Sequence, residues 1–146
     1  MKSMKKVLGL MVMMVLSTVM YAQKADDILG AWFTEGGKSK VEITKKDGKY
    51  SGEIIWLKTP NREDGTVKLD RENENEKLRT RKILGINVIQ GFEWDDDEYE
   101  EGTIYDPENG KVYDCEITWE NANTLNVRGY IGFSLLGRTT VWTRAK

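Results

Sequence analysis

Turn residues cut this chain at short intervals and leave only strand-length runs between them. Gly36-Gly37, Asp47-Gly48, Asn109-Gly110 and the asparagines Asn121 and Asn123 punctuate segments in which apolar and polar residues alternate, as expected of half-buried strands. The expected strands are residues 31–34, 40–45, 50–57, 83–94, 99–106, 111–119, 124–131 and 138–144. Such short connections pair neighbours antiparallel. Eight strands in this order predict an all-β fold, an antiparallel up-and-down barrel. A short helical lead-in at 25–29 precedes them. The single long interruption, residues 58–80 between the third and fourth strands, is polar, contains Pro60 and Asp64-Gly65, and has a helical turn near 75–79. A loop of this length is either a surface excursion over one barrel end or a functional element.

The registers can be checked against the apolar pattern. A two-residue turn at Asp47-Gly48 pairs Val41 with Ile54, Ile43 with Gly52 and Lys45 with Tyr50, and puts both apolar sets on one face with Trp56. The same turn at Asn109-Gly110 pairs Ile104 with Cys115 and Gly102 with Ile117, beside Tyr113 and Trp119. A four-residue loop at 133–136 pairs Val127 with Trp142 and Ile131 with Arg138. A one-residue slip would spoil each arrangement. The hairpin at 95–98 fits only with a three-residue loop or a bulge. Trp56, Trp94, Trp119 and Trp142 then point inward, with Trp32 beside them. An eight-stranded barrel has an interior that side chains can just fill, and each tryptophan buries ~150–250 Å². Even with inward Gly52, Gly102 and Gly129 making room, the expected cavity is small or absent. That favours a small-ligand pocket or a packed scaffold over a roomy lipid carrier.

The first 22 residues are set apart from this fold. Lys2, Lys5 and Lys6 precede an apolar run from Val7 to Met20, and Tyr21-Ala22-Gln23 leads into a charged chain. This reads as a secretory signal peptide cleaved after Ala22, too short for a spanning helix. Residues 23–146 then form one domain of a periplasmic or secreted bacterial protein. Three of the 22 Lys and Arg lie in the opening segment, which leaves 19 against 24 Asp and Glu and a net charge of −5 for the domain. That balance argues against nucleic acid as a partner. Cys115 is the only cysteine. It reads as a buried small hydrophobe, with an intermolecular link as the alternative.

Candidate chemistry is sparse. The 146 residues contain no histidine, which removes serine–histidine and cysteine–histidine catalysis as usually built. Gly132-Phe133-Ser134 has neither the spacing nor the strand-to-helix setting of a nucleophile elbow. Zinc is unexpected with one cysteine and no histidine. Asp95-Asp96-Asp97-Glu98 and Glu100-Glu101 carry oxygen ligands but lack the calcium-hand spacing; a solvated acidic hairpin is the simpler reading. Asp70, Glu72, Glu74 and Glu76 alternate in the long loop and read the same way. Nothing selects two carboxylates as a glycosidase pair. We therefore expect no enzyme activity, no cofactor and no metal.

Arg138 is the more informative residue. Its register points it inward beside the apolar loop, where it either holds a ligand carboxylate or phosphate or pairs internally with Asp106 or Glu100. Ile131, Phe133, Leu135 and Leu136 would forgo ~6–10 kcal/mol together if left exposed, at roughly 1.5–3 each, so a cover is expected: a plug, a ligand lid or another protein. The expected ligand-binding residues are Arg138, Phe133, Leu135, Tyr130 and Trp56. The expected ligand is small and apolar or amphipathic, and the alternative is an envelope protein partner on the 131–136 loop.

Gly30-Ala31-Trp32 near the start and Trp142-Thr143-Arg144 at the end together resemble the lipocalin and wider calycin signature. The resemblance implies that Trp32 packs at the closed barrel end under Arg144, with Arg138 as the alternative, and that Trp142 joins this closure. Guanidinium over indole contributes ~0.5–2 kcal/mol. Ile28 through Trp32, Ile54 through Lys58, Leu78 through Arg81, Ile104-Tyr105-Asp106-Pro107 with Asn109-Gly110-Lys111, and Val127 through Arg144 resemble the bacterial secreted family known as domain of unknown function 2147. That resemblance implies an exported calycin-like barrel and brings no catalytic residues. Lys82 departs from it, standing where the family is expected to have proline, and bears only on the entry to the fourth strand.

Overall fold

In the computed structural model, which describes residues 23–133 and 135–146, the alternating runs become eight strands. These are β1 (Gly30–Phe33), β2 (Ser39–Lys46), β3 (Lys49–Leu57), β4 (Asn87–Asp95), β5 (Glu98–Asp106), β6 (Lys111–Asn121), β7 (Thr124–Tyr130) and β8 (Gly137–Arg144). Each pairs antiparallel with the next, and β8 returns to β1 to close the barrel. The closing ladder is short, pairing Trp32 with Arg144 and Phe33 with Thr143. The helical pieces among the described residues are 3-10 turns at Ala25–Ile28, Glu35–Gly37 and Glu76–Leu78, and no helix there is long and apolar enough to cross a membrane. The signal-peptide reading of residues 1–22 and any role for Ser134 lie outside the described residues.

The first hairpin keeps the expected pairs Val41–Ile54, Ile43–Gly52 and Lys45–Tyr50. Beyond them a bulge intervenes, since Lys40 pairs with Trp56 and Ile55 is left over. One extra residue reverses the side-chain alternation. Trp56 therefore turns outward, 39% exposed, instead of inward. It packs edge-on to Phe33 with Lys40 above both rings. Leu57 takes the inner position against the core.

Two other registers differ from expectation by two residues, which preserves the faces. Asp106 pairs with Lys111, so the β5–β6 loop has four residues rather than two; Gly102 faces Cys115 and Ile104 faces Tyr113. Pro107 has no N–H to extend the ladder, and the Gly110 amide instead donates to the Asp106 carbonyl at 2.8 Å. Tyr130 pairs with Gly137, which lengthens the last loop to residues 131–136 and sets Leu125 opposite Trp142 and Gly129 opposite Arg138. The 95–98 hairpin is a two-residue turn, with Asp95 opposite Glu98. Its irregularity lies deeper, where Gly91 and Glu101 take positive φ at the same level of β4 and β5. That break lets Ile89, Phe92 and Trp94 all reach the interior. The fourth strand starts four residues later than expected, because Gly85 at φ +98° turns the chain before Ile86 is buried.

Candidate functional site

The aromatic residues collect in one half of the barrel. Trp32, Tyr50, Phe92 and Tyr99 are fully buried there, Trp119 stands 5.8 Å from Trp32 and Trp94 stands 4.7 Å from Tyr99, ring centre to ring centre. Gly102 fits this packing, since a Cβ on it would lie 2.4 Å from the Phe92 ring. Gly52 and Gly102 thus make space for neighbouring side chains, Val41 and Ile89 at the first and Phe92 at the second.

The 3-10 turn Ala25–Ile28 seals this end. Its carbonyls and carboxylate accept from residues inside and beneath it: Ala25 O from the Tyr99 hydroxyl (2.7 Å), Ile28 O from Trp32 Nε1 (2.8 Å), Asp27 O from Arg144 (3.0 Å) and Asp26 from Tyr50. Arg144 lies 4.3 Å above the centre of Trp32, pairs with it across β1 and β8, and also donates to Ala122 O. These bonds satisfy the Tyr99, Trp32 and Arg144 donors where the barrel closes, while Trp119 Nε1 is buried there with no hydrogen-bond partner among the described residues. The plug is the N-terminal lead-in, at the opposite end from the 131–136 loop. Burial pushes the Tyr99 phenol well above its ordinary range.

With the bulky rings at one end and Trp56 outside, the other end stays open. A cavity of about 1470 Å³ enters there. This overturns the expectation of a small or absent void. Its walls carry Val41, Ile54, Val88, Ile104, Val127 and Trp142, and its mouth carries Ile131, Leu135 and Leu136. Tyr130 lines it too, with its phenol pushed up mainly by burial. Arg138 lines the rim but is 82% exposed, and its guanidinium donates to Glu35 at 3.2 Å; neither Asp106 nor Glu100 is its partner. Phe133 and Trp56 are not among the lining residues. Trp142, expected with the closure, forms cavity wall and leaves the arginine stack to Trp32 and Trp119. The apolar loop has no cover within the described chain: Ile131 is 63% exposed, Phe133 74%, Leu135 89% and Leu136 73%.

The long connection between β3 and β4 forms one side of the mouth. It is folded on itself through short bridges between Asn61 and Val67 and between Leu69 and Lys82. Asp70 anchors it. This carboxylate is fully buried, against the expectation of a solvated acidic run. It accepts from Asn73 Nδ2 and Arg81 Nε, each at 2.9 Å, and from the Tyr105 hydroxyl on β5. Burial, and then the Asp70 bond, push the Tyr105 phenol up to about 12. Glu72 lies over Gly110, where a Cβ would come within 1.8 Å of the Glu72 carbonyl. Alternation of acidic residues gave no hint that Asp70 differs from Glu72, Glu74 or Glu76; only the position of Tyr105 and Arg81 in space does so.

Cys115, Glu98 and Glu100 are not among the residues that line this cavity. Cys115 is buried and free, with its thiol pushed up to about 12 by burial, so it holds little thiolate at neutral pH. Glu98 and Glu100 share a hydrogen bond on the closed-end hairpin, and that bond, then burial, holds the Glu98 carboxyl up to about 7. Among the described residues no group of three or more Cys, Asp or Glu is placed to hold a metal ion.

Two comparisons accord with this architecture. A structure described as "Protein HP1028 from the human pathogen Helicobacter pylori belongs to the lipocalin family" superposes with a TM-score of 0.69 at 24% identity, over 82% of this chain and 83% of that one. The present barrel is therefore lipocalin-like in fold. No curated protein matches the chain. The family model described as "Uncharacterized protein conserved in bacteria (DUF2147)" matches residues 30–144, and the chain belongs to that family.

Proposed function

We propose that this protein is an exported bacterial barrel that binds a small apolar or amphipathic molecule in its open end and catalyses no reaction. The observation that carries the reading is the cavity of about 1470 Å³, apolar along its walls and open at one end only. Typical small-molecule pockets measure ~300–1,000 Å³, so the space accommodates such a ligand together with water. The sealed aromatic half supplies a rigid floor, and Leu135 and Leu136 supply a mouth that a ligand can cover. The lack of histidine and the protonated, buried Cys115 support binding without catalysis. Native mass spectrometry and thermal-shift measurements on protein purified from its own host test the reading. A retained small mass, and a ligand that raises the melting temperature, are expected. Protein that retains no mass and is stabilised by no apolar or amphipathic compound would overturn it.

A second reading rests on Phe133, which is 74% exposed and lies outside the cavity lining. Exposed apolar side chains at a loop tip suit contact with an envelope protein. Replacing Phe133 and Leu135 together by Ser separates the readings. Both side chains are solvated already, so stability should change by less than about 0.5 kcal/mol. Loss of partner capture with ligand binding intact would favour the interface, and loss of ligand binding alone would favour the mouth.

A further inference from the structure

Five cationic side chains line the open cavity besides Arg138: Lys38, Lys58, Arg62, Lys68 and Arg71. Among the described residues none of them makes an ion pair or a side-chain hydrogen bond. Four of the five come from the single excursion between β3 and β4. The domain as a whole is acidic, so this grouping opposes its overall charge. Arg138, the cation that the strand pattern singles out, is by contrast bound to Glu35 at the solvent-exposed rim.

Arg62 stands apart within the group. Its Nε is buried and has no hydrogen-bond partner among the described residues, a state shared there by Trp119 Nε1 at the closed end and uncommon for buried polar groups. Its backbone is fixed on both sides of a tight turn, since its amide donates to Thr66 O at 2.8 Å and its carbonyl accepts from the Gly65 amide at 2.9 Å. The carboxylate that senses it, Asp64, is held low chiefly by the Thr66 hydroxyl and amide, with Arg71 and Arg62 contributing least. Four acids share the cavity lining: Glu35, which is paired with Arg138, and Glu72, Asp106 and Glu108 by the β5–β6 turn, where Asp106 already accepts the Glu108 amide.

We propose that the excursion is an anion subsite, in which Arg62, flanked by Lys58, Lys68 and Arg71, receives the carboxylate or phosphate head of an amphiphile whose apolar tail lies in the cavity. The inference rests on the cavity-binding reading and specifies the head group of its ligand. Arginine suits the role because its planar N–H pairs match two oxygens at once and its charge does not titrate. The Asp70 anchor holds the excursion in place, so the head-group cradle is formed before a ligand arrives, which lowers the ordering cost of binding.

Four probes that share a twelve-carbon tail test it by calorimetry on the domain: laurate, dodecyl phosphate, dodecanol and dodecyltrimethylammonium. The anions should bind more tightly than dodecanol, and the ammonium most weakly. Arg62→Met keeps the stem length and should weaken the anions by about tenfold or more while leaving dodecanol unchanged. Arg138→Met should change anion binding by less than about threefold, as expected of an exposed pair. If Arg62→Met does not fold, as judged by near-ultraviolet circular dichroism, the Lys58→Gln, Lys68→Gln double variant takes its place with the same expected selectivity. Laurate and dodecyl phosphate are compared to tell a carboxylate site from a phosphate site. Dodecanol binding as tightly as the anions, or anion binding indifferent to these substitutions, would overturn the subsite and leave the cavity reading intact. Binding of none of the four would overturn both.

Discussion

Asp70 shows how one side chain can set the form of a whole loop. Its carboxylate is fully buried, and three donors from three parts of the chain converge on it. Hydrogen bonds to a charged group contribute about 1.5–3 kcal/mol each, and a buried partner left unsatisfied costs a similar amount. Asp70→Asn keeps the shape but loses the charge and turns one acceptor into a donor. It should lower unfolding free energy by about 1.5–3 kcal/mol in urea titrations and loosen amide protection across residues 58–82. A variant within about 0.5 kcal/mol of the parent would contradict the anchoring role. The pairing of Trp32 with Arg144 was legible at this scale through the resemblance to the lipocalin and calycin signature, which implies it. Asp70 was not, because its partners Arg81 and Tyr105 become neighbours only after the excursion folds back. Arg62 was hidden for a different reason, as sequence carries no mark of a guanidinium nitrogen left without a partner.

At the level of strands and loops, parity was legible and bulges were not. The hairpin around Asp47-Gly48 has its expected register up to Ile54, and the two other tested hairpins keep their faces despite shifts of two residues. Apolar alternation fixes which face a residue occupies but tolerates any even displacement. The extra residue Ile55 escapes such a test, since it looks like any other β-branched strand residue, and it alone moves Trp56 from inside to outside. The closed-end hairpin between β4 and β5 makes a separate prediction. Its Glu98 carboxyl, ordinarily near 4.5, is held up to about 7, first by the hydrogen bond to Glu100. Between those values the folded protein keeps a proton that the unfolded chain has lost. The resulting stabilisation is full below pH 4.5 and is lost as pH rises through about 7. With no histidine in the chain, few other groups titrate in this window. Melting temperatures measured from pH 5 to pH 8 should fall, and Glu100→Gln should flatten the slope. An unchanged slope in that variant would contradict the shared proton.

The molecule as a whole is divided by function along its axis. One end is filled with aromatic rings and latched by the lead-in turn, and the other is open, lined by smaller aliphatic residues, and flanked by the excursion and the 131–136 loop. Barrel class, strand number and strand order were legible in the turn spacing and alternation. The cavity was not, because counting five tryptophans says nothing of where along the axis they lie. Four of them face inward, but Trp32, Trp94 and Trp119 crowd the sealed half and only Trp142 faces the open space. That asymmetry offers a direct test of the binding cavity. Titration with dodecanol brominated along its tail, followed by tryptophan fluorescence, should give saturable quenching that disappears in Trp142→Phe, because bromine in the cavity reaches that ring and is shielded from the sealed ones. Quenching that never saturates, or that saturates with the same amplitude in Trp142→Phe, would contradict a ligand-holding cavity at the open end.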